Sequence, residues 1–478
     1  MRLSAAALDR LPPDVLRPDY DRSAVKRGVV HLGIGAFHRA HQAALFEAAL
    51  ASGDMQWGVT GVSLRSGDVR DQLAPQDGLY TLLVRDGASE RAQIVGAVQE
   101  VLVAPEDPRA VIAALASPDA HIVTLTITEK GYKLDRATGG LLVDDPDVAH
   151  DLVSLDAPRT APGFIVAGLK ARRAVHLQPL TIMSCDNLPH NGVLLRDAVV
   201  AIARAHDPSL ADWIAVDVAF PSTMVDRIVP ATMPDDIAAL AQRLGAEDRA
   251  MVKTEPFTQW VIEDRFSGSR PDFAGLGAQL TDRVAPWEDA KLRLLNGAHS
   301  AIAYLGGLAG DEFVHQFVAR DVGRRLIAML WDEAQDTLDP PARLDIPAYR
   351  TALLERFANP TLQHRTRQIA MDGSQKLPQR LVQPLIERAA AGKASPALTL
   401  AIAAWMRWQA GWTDDGERFA IDDPAADRLA AARGVEGYLA VLGMMPDAAT
   451  CGTIAVQLAI LERSNARTAM AHLLEETA

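Results

Sequence analysis

The rhythm of apolar and polar positions changes once along this chain, near residue 285. Before that point, short runs rich in β-branched and apolar residues alternate with helical stretches. After a proline-containing lead-in of about 25 residues, Gly28-Val-Val-His-Leu reads as a short buried strand. It runs into Gly33-Ile-Gly35-Ala36-Phe37-His38-Arg39 and an alanine-rich helical stretch through Ala51. Apolar runs at 57–64, 121–128 and 178–184 are expected as further strands. Strands separated by helices predict a doubly wound, largely parallel sheet. Beyond residue 285, alanine- and leucine-rich segments with helical spacing dominate, at 291–309, 321–336, 347–357, 397–409, 426–443 and 451–474. Pro340-Pro341 and Asn359-Pro360 punctuate them. The expected fold is therefore α/β: a Rossmann-like, nucleotide-binding sheet domain over 1–284, then a mostly α-helical substrate-binding and catalytic domain over 285–478.

Within the first helical segment, Lys291-Leu-Arg-Leu-Leu-Asn296-Gly-Ala-His299 breaks the apolar pattern with an amine, an amide and an imidazole. On an α-helix, at about 100° per residue, His299 lies ~80° and Asn296 ~140° around from Lys291. Three polar side chains among Leu292, Leu294 and Leu295 are costly to bury without partners or a chemical role. The plainer reading is a solvated polar stripe.

Composition narrows the field. Of 478 residues, 49% are hydrophobic and 23% charged, the balance of a soluble globular protein large enough for two domains. The net charge of −13 disfavours nucleic acid and anionic membrane as partners. Cys185 and Cys451 are the only cysteines, so no disulfide framework is expected. The N-terminal residues do not form a signal peptide, and the most apolar run, at 397–406, is too short to span a bilayer. A cytoplasmic protein, monomeric or a small homo-oligomer, is the expectation.

Gly33 and Gly35 lie between a strand and a helix, as in a dinucleotide site. The third glycine of G-x-G-x-x-G is replaced by His38. Ala36, Phe37 and Arg39 would continue the cofactor contact, although Arg39 also reads as a surface arginine. At the end of the second strand, Asp68 would take the ribose hydroxyls of NAD, while Arg65 and Ser66 leave NADP open. Glu129, in Thr126-Ile-Thr-Glu129-Lys-Gly-Tyr132, follows a strand and could carry protons or hold a substrate hydroxyl. Asn187, in Ser184-Cys-Asp-Asn187, could aim its amide at a carbonyl oxygen.

No tyrosine has a lysine four residues on, there is no HExxH, and Cys185 with His190 lacks further zinc ligands. Hydride transfer from a secondary alcohol still needs a base, and Lys291 is the natural candidate. Burial and a nearby positively charged nicotinamide would each lower its pKa. Asn187 and Asn296 would steady the developing alkoxide, and His299 would position the substrate or the lysine.

These segments together resemble the mannitol dehydrogenase family of polyol-specific long-chain dehydrogenases. The likeness rests on Gly33 to His41, Thr126 to Tyr132, Ser184 to Asn187 and Lys291 to His299. It extends to Phe220-Pro-Ser-Thr-Met-Val-Asp226 and Glu255-Pro-Phe-Thr-Gln-Trp, and covers nearly the whole chain. The resemblance implies a metal-independent NAD(P) oxidoreductase that interconverts a polyol or sugar acid with its keto form. It implies Lys291 as general acid/base, Asn187 and Asn296 as carbonyl-polarising amides and His299 as a positioning imidazole. Asp226 and Lys376 would line the substrate site.

The stretch Gln368-Ile-Ala-Met-Asp-Gly-Ser-Gln-Lys376-Leu-Pro-Gln-Arg380 looks like the fructuronate-reducing branch of the family. Mannitol 2-dehydrogenases tend to carry arginine in place of Gln368. Lys376 with Arg380 or Arg365 would meet a uronate carboxylate. The expected reaction is D-fructuronate with NADH to D-mannonate. Mannitol 2-dehydrogenase activity and a non-catalytic nucleotide-binding protein are the alternatives.

Overall fold

The computed structural model describes residues 1–87, 89–135, 138–341 and 343–476. They form two compact units, Met1–Ala285 and Pro286–Ala478. No helix among the described residues is long and apolar enough to cross a membrane.

The first unit contains eleven strands: β1 (Val29–Leu32), β2 (Val59–Ser63), β3 (Tyr80–Asp86), β4 (Ser89–Val95), β5 (Val98–Val103), β6 (Ile122–Leu125), β7 (Thr181–Ser184), β8 (Thr223–Asp226), β9 (Val252–Thr254), β10 (Gln259–Glu263) and β11 (Gln279–Thr281). Five of them make a parallel sheet in the order β5-β2-β1-β6-β7. Every residue of β1, β2, β6 and β7 is buried, so these strands are rich in apolar and β-branched residues, and their few polar members (His31, Thr60, Ser63, Thr124, Thr181 and Ser184) are buried too. Alternation sorts the side chains. Val30, Leu32, Val123, Leu125 and Ile182 pack on one face, and Val29, Val59, Ile122 and Met183 on the other. Helix Ala161–Ala174 crosses over between the parallel neighbours β6 and β7, and Pro108–Leu115 lies on the connection from the edge strand β5 to β6.

Chain order reverses between β1 and β6, so the carboxyl ends of these two strands flank the switch point where such sheets bind ligands. Two three-stranded mixed sheets, β4-β3-β9 and β11-β10-β8, accompany the main one and depart from the expectation of a single parallel sheet.

Among the described residues, the second unit is built of helices, with isolated β-bridges at Phe313–Arg365 and Trp412–Arg418. At its centre, Gly297–Leu308 is buried along its whole length, as is nearly all of Pro396–Trp408. Close approach is possible because Gly307 faces the Trp408 ring, which a Cβ there would meet at 2.6 Å. Two segments expected as single helices are broken. The 426–443 stretch divides into Ala426–Ala431 and Gly434–Leu442, with Gly434 at φ +64. The 451–474 stretch divides into Ala448–Arg463 and Ala466–Glu476 at Ser464.

Residues Lys291–Asn296 form a wide π-helical turn ahead of Gly297–Leu308, so the 100° spacing assumed for the polar arc does not hold there. Tertiary partners hold this turn: the Trp331 indole N–H donates to the Leu294 carbonyl at 2.9 Å, and Arg293 pairs with Glu387. A second π-helical turn, Pro378–Val382, packs against the first at Gly297, where a Cβ would lie 3.1 Å from the Arg380 carbonyl.

Candidate active site

At the carboxyl end of β1, Gly33 adopts φ +92, and an added Cβ would collide with the Thr126 carbonyl. The chain itself therefore requires glycine at this position. Gly35 differs. Its backbone is extended (φ −123, ψ −169), and an added Cβ would meet nothing nearer than the Gly33 carbonyl at 3.8 Å. No intramolecular contact explains Gly35; open space beside its backbone is what a phosphate approaching the turn needs.

Ala36 and Phe37 begin the helix Ala36–Ala40 and are half-buried. His38, in the third-glycine position, is fully buried. Arg39 is not the surface arginine its sequence context allows. It is buried, its guanidinium lies 5.9 Å from the Tyr80 ring centroid, and burial lowers its pKa. Asp68 is exposed at the start of helix Asp68–Leu73, accepting from the Ser66 hydroxyl at 2.7 Å, with Arg65 exposed nearby.

Glu129 is exposed and opens a 3₁₀ turn after β6, and Asn187 is exposed just beyond β7. Their two loops are tied by a residue that the sequence reading passed over. The Asp186 carboxylate accepts from the backbone N–H groups of Ile127 and Thr128, both at 2.9 Å, and from the Tyr132 hydroxyl at 2.7 Å. Burial raises the Asp186 pKa, an effect these hydrogen bonds oppose. Thr128 sits at φ +64, costly for a β-branched residue, and the Asp186 bond to its N–H helps hold it there. Asp226, at the end of β8, is buried opposite Gln259 of β10.

In the helical unit, Lys291 and His299 are each only 7% exposed and Asn296 is half-buried, which rules out the solvated-stripe reading for the lysine and the histidine. Lys291 and Asn296 bracket the π-helical turn, and His299 follows on the next α-helical turn. The His299 ring lies 4.7 Å from the Phe357 ring and 5.0 Å from that of His364, and its Nε2 is buried without a hydrogen-bond partner. Burial, then His364, Arg356 and Arg380, hold its pKa well below the usual value, so the ring is neutral at physiological pH.

Arg380 Nη1 donates to Ser300 Oγ at 3.3 Å. Lys376 is half-buried and donates to the Met371 carbonyl at 2.6 Å; burial and Arg380 lower its pKa. His364, not singled out from the sequence, is pushed down to about 4 by burial, Arg356 and Lys376. Lys376, Arg380, His299 and His364 thus share one electrostatic neighbourhood. Arg365 turns away into an exposed pair with Glu312, and Gln368 is exposed. The sequence signal for His364 was faint: one imidazole in a polar stretch.

A five-stranded Rossmann-type sheet with a two-glycine turn, followed by a helical unit carrying a buried lysine and a neutral imidazole, defines a Rossmann-fold oxidoreductase. Residues 27–275 match the mannitol dehydrogenase Rossmann domain, and residues 283–444 match the mannitol dehydrogenase C-terminal domain. The chain belongs to the mannitol dehydrogenase family. It is 43% identical over 444 residues to the D-mannonate oxidoreductase of Escherichia coli, covering 89% of this chain and 91% of that protein. It is 41% identical to a mannitol 2-dehydrogenase of Phaeosphaeria nodorum, covering 92% and 79% respectively. Among solved structures, the Pseudomonas fluorescens mannitol 2-dehydrogenase in ternary complex with NAD and D-mannitol superposes with a TM-score of 0.87 at 36% identity, covering 99% of this chain and all of that one.

Proposed function

We propose that this enzyme reduces D-fructuronate to D-mannonate with NADH, and that the half-buried cations Lys376 and Arg380 hold the uronate carboxylate. The observation that carries the substrate reading is their position. Both lie in the segment whose electrostatics reach His299 and His364; Lys376 also pairs with Asp372 at 3.8 Å, and Arg365 forms an exposed pair with Glu312. A carboxylate is the ligand such a pair would favour. The 43% identity to a D-mannonate oxidoreductase supports the same reading.

The first unit would bind the cofactor. The glycine turn fits a dinucleotide through the free space beside Gly35, with Ala36, Phe37 and Arg39 in or behind the turn, and Asp68 would take the ribose hydroxyls. When bound, NADH supplies the hydride. The chain's own residues handle the proton and the oxygen. Lys291 gives a proton from Nζ to the carbonyl oxygen in reduction and takes it back in oxidation. Asn187 and Asn296 each offer an amide N–H to the oxygen as charge develops. His299, held neutral, presents Nε2 to a substrate hydroxyl, and Asp226 and Glu129 hold further hydroxyls.

The test is a substrate panel run with both NADH and NADPH. Turnover of fructuronate should exceed that of fructose by at least about tenfold in kcat/KM. The reverse ratio would make the enzyme a mannitol 2-dehydrogenase, the second reading, which the 41% identity to such an enzyme favours. Lys291→Ala should lower kcat by at least about a hundredfold. Near-normal rates in that variant would overturn the proton-transfer role.

A further inference from the structure

A histidine interrupts the apolar run of β1 one residue before the break into the glycine turn. His31 is fully buried, and its ring reaches across to β6 and to the residue just beyond its end. Nδ1 lies 2.7 Å from Thr124 Oγ1, and Nε2 lies 2.9 Å from Thr126 Oγ1. Thr126 Oγ1 in turn lies 3.0 Å from the Gly33 carbonyl oxygen.

These contacts fix the direction of every bond. A carbonyl can only accept, so the Thr126 hydroxyl hydrogen points to Gly33. That hydroxyl must then accept from His31, which places the ring proton on Nε2. Nδ1 is left to accept from the Thr124 hydroxyl. Burial pushes the His31 pKa down to about 3, so the ring stays neutral and the relay keeps one polarity across the physiological range. From the helix side, the His38 ring stacks on His31 with centroids 3.4 Å apart and planes within 16°. A stacked pair of imidazoles thus occupies the helix–strand contact that the third glycine makes in a G-x-G-x-x-G turn.

We infer that His31 and Thr126 are positioning residues for the dinucleotide: through the Thr126 hydroxyl they lock the Gly33 peptide, so the Gly33–Gly35 turn presents one conformation to the cofactor pyrophosphate. The inference rests on the reading of that turn as the cofactor site.

Thr126→Val keeps the side-chain shape and removes the hydroxyl that joins His31 Nε2 to the Gly33 carbonyl. The dissociation constant for NADH, read from nucleotide fluorescence, should rise about five- to tenfold, the effect of one net hydrogen bond. The kcat at saturating NADH should fall less than about twofold, and Thr126→Ser should restore affinity. A merely structural role would instead lower kcat and thermal stability together and leave NADH affinity alone. Unchanged NADH binding in Thr126→Val, or equal weakening in Thr126→Ser, overturns the inference. If Thr126→Val does not fold, Thr126→Ala against Thr126→Ser makes the same comparison with less bulk. Gly35→Val separates the two layers of argument. If it leaves NADH affinity intact, the cofactor reading of the turn fails; if it abolishes binding while Thr126→Val changes nothing, only the relay fails.

Discussion

Two glycines separated by a single residue answer to different constraints. Gly33 combines φ +92 with a Thr126 carbonyl where its Cβ would be, so Gly33→Ala suffers both backbone strain and a backbone clash. Strain of this kind costs about 1–3 kcal/mol, and the overlap adds to it, so urea unfolding should show a loss of roughly 3 kcal/mol. Gly35 has neither problem, and Gly35→Val should unfold at nearly the wild-type denaturant concentration. Equal destabilisation of both variants would mean that Gly35 is a packing glycine. At this scale the sequence was informative where a polar residue stood out against apolar neighbours, as at Lys291, His299 and the glycine turn. It was silent where the role depends on a partner far along the chain. Asp186 reads as one more member of an Asx-rich turn until its carboxylate is seen capping Ile127 and Thr128. Arg365 and Arg380 look alike as letters, yet one pairs with Glu312 and the other reaches Ser300.

Elements carry a second kind of chemistry. Glu333 is buried on helix Asp321–Gln335, and its two oxygens accept from the N–H groups of Ala397 and Leu398, each at 2.8 Å, in the first turn of Pro396–Trp408. These bonds and the helix dipole favour the carboxylate, but burial outweighs them and raises the pKa to about 7. The folded protein therefore binds this proton more tightly than the unfolded chain, whose glutamate titrates near 4.5. The stabilisation is fully present below about pH 4.5 and is lost as pH rises towards 7. At about 1.4 kcal/mol per unit, the loss is about 3 kcal/mol. Glu333→Gln removes the titration, so its stability relative to wild type should climb by about that amount between pH 4.5 and pH 7, measured as a difference of urea unfolding free energies. A constant difference across this range would show that Glu333 is ionised throughout.

Four of the five parallel strands, β1, β2, β6 and β7, were legible because burial on both faces leaves them rich in β-branched and apolar residues with no charged side chain; β5, half-buried along most of its length, was not. The mixed sheets were not. β3 pairs with β9, whose partner residues lie some 170 positions later (Leu82 with Val252), and the Ser89–Arg91 end of β4 is exposed and polar. The π-helical turns were equally hidden, since Trp331 and Glu387 help hold the first of them from other helices.

The molecule as a whole bears a net charge of −13, and the proposed substrate is an anion. Two electrostatic effects then oppose each other. The global charge repels the uronate at long range, and added salt would relieve that repulsion. The half-buried Lys376 and Arg380, if they hold the carboxylate as proposed, would attract it at short range, and added salt would weaken that attraction. Long-range repulsion governs turnover only when kcat/KM approaches the encounter limit of about 10⁸–10⁹ M⁻¹ s⁻¹. An enzyme working orders of magnitude below that ceiling equilibrates with its substrate, and only the energy of the bound anion counts. The local cations should therefore win. With NADH saturating, kcat/KM for fructuronate should fall about two- to threefold as added salt rises from about 20 to about 300 mM, while that for uncharged fructose stays nearly flat. Lys376→Gln should lower the fructuronate value and flatten its salt dependence. A rise with salt would place the carboxylate away from Lys376 and Arg380.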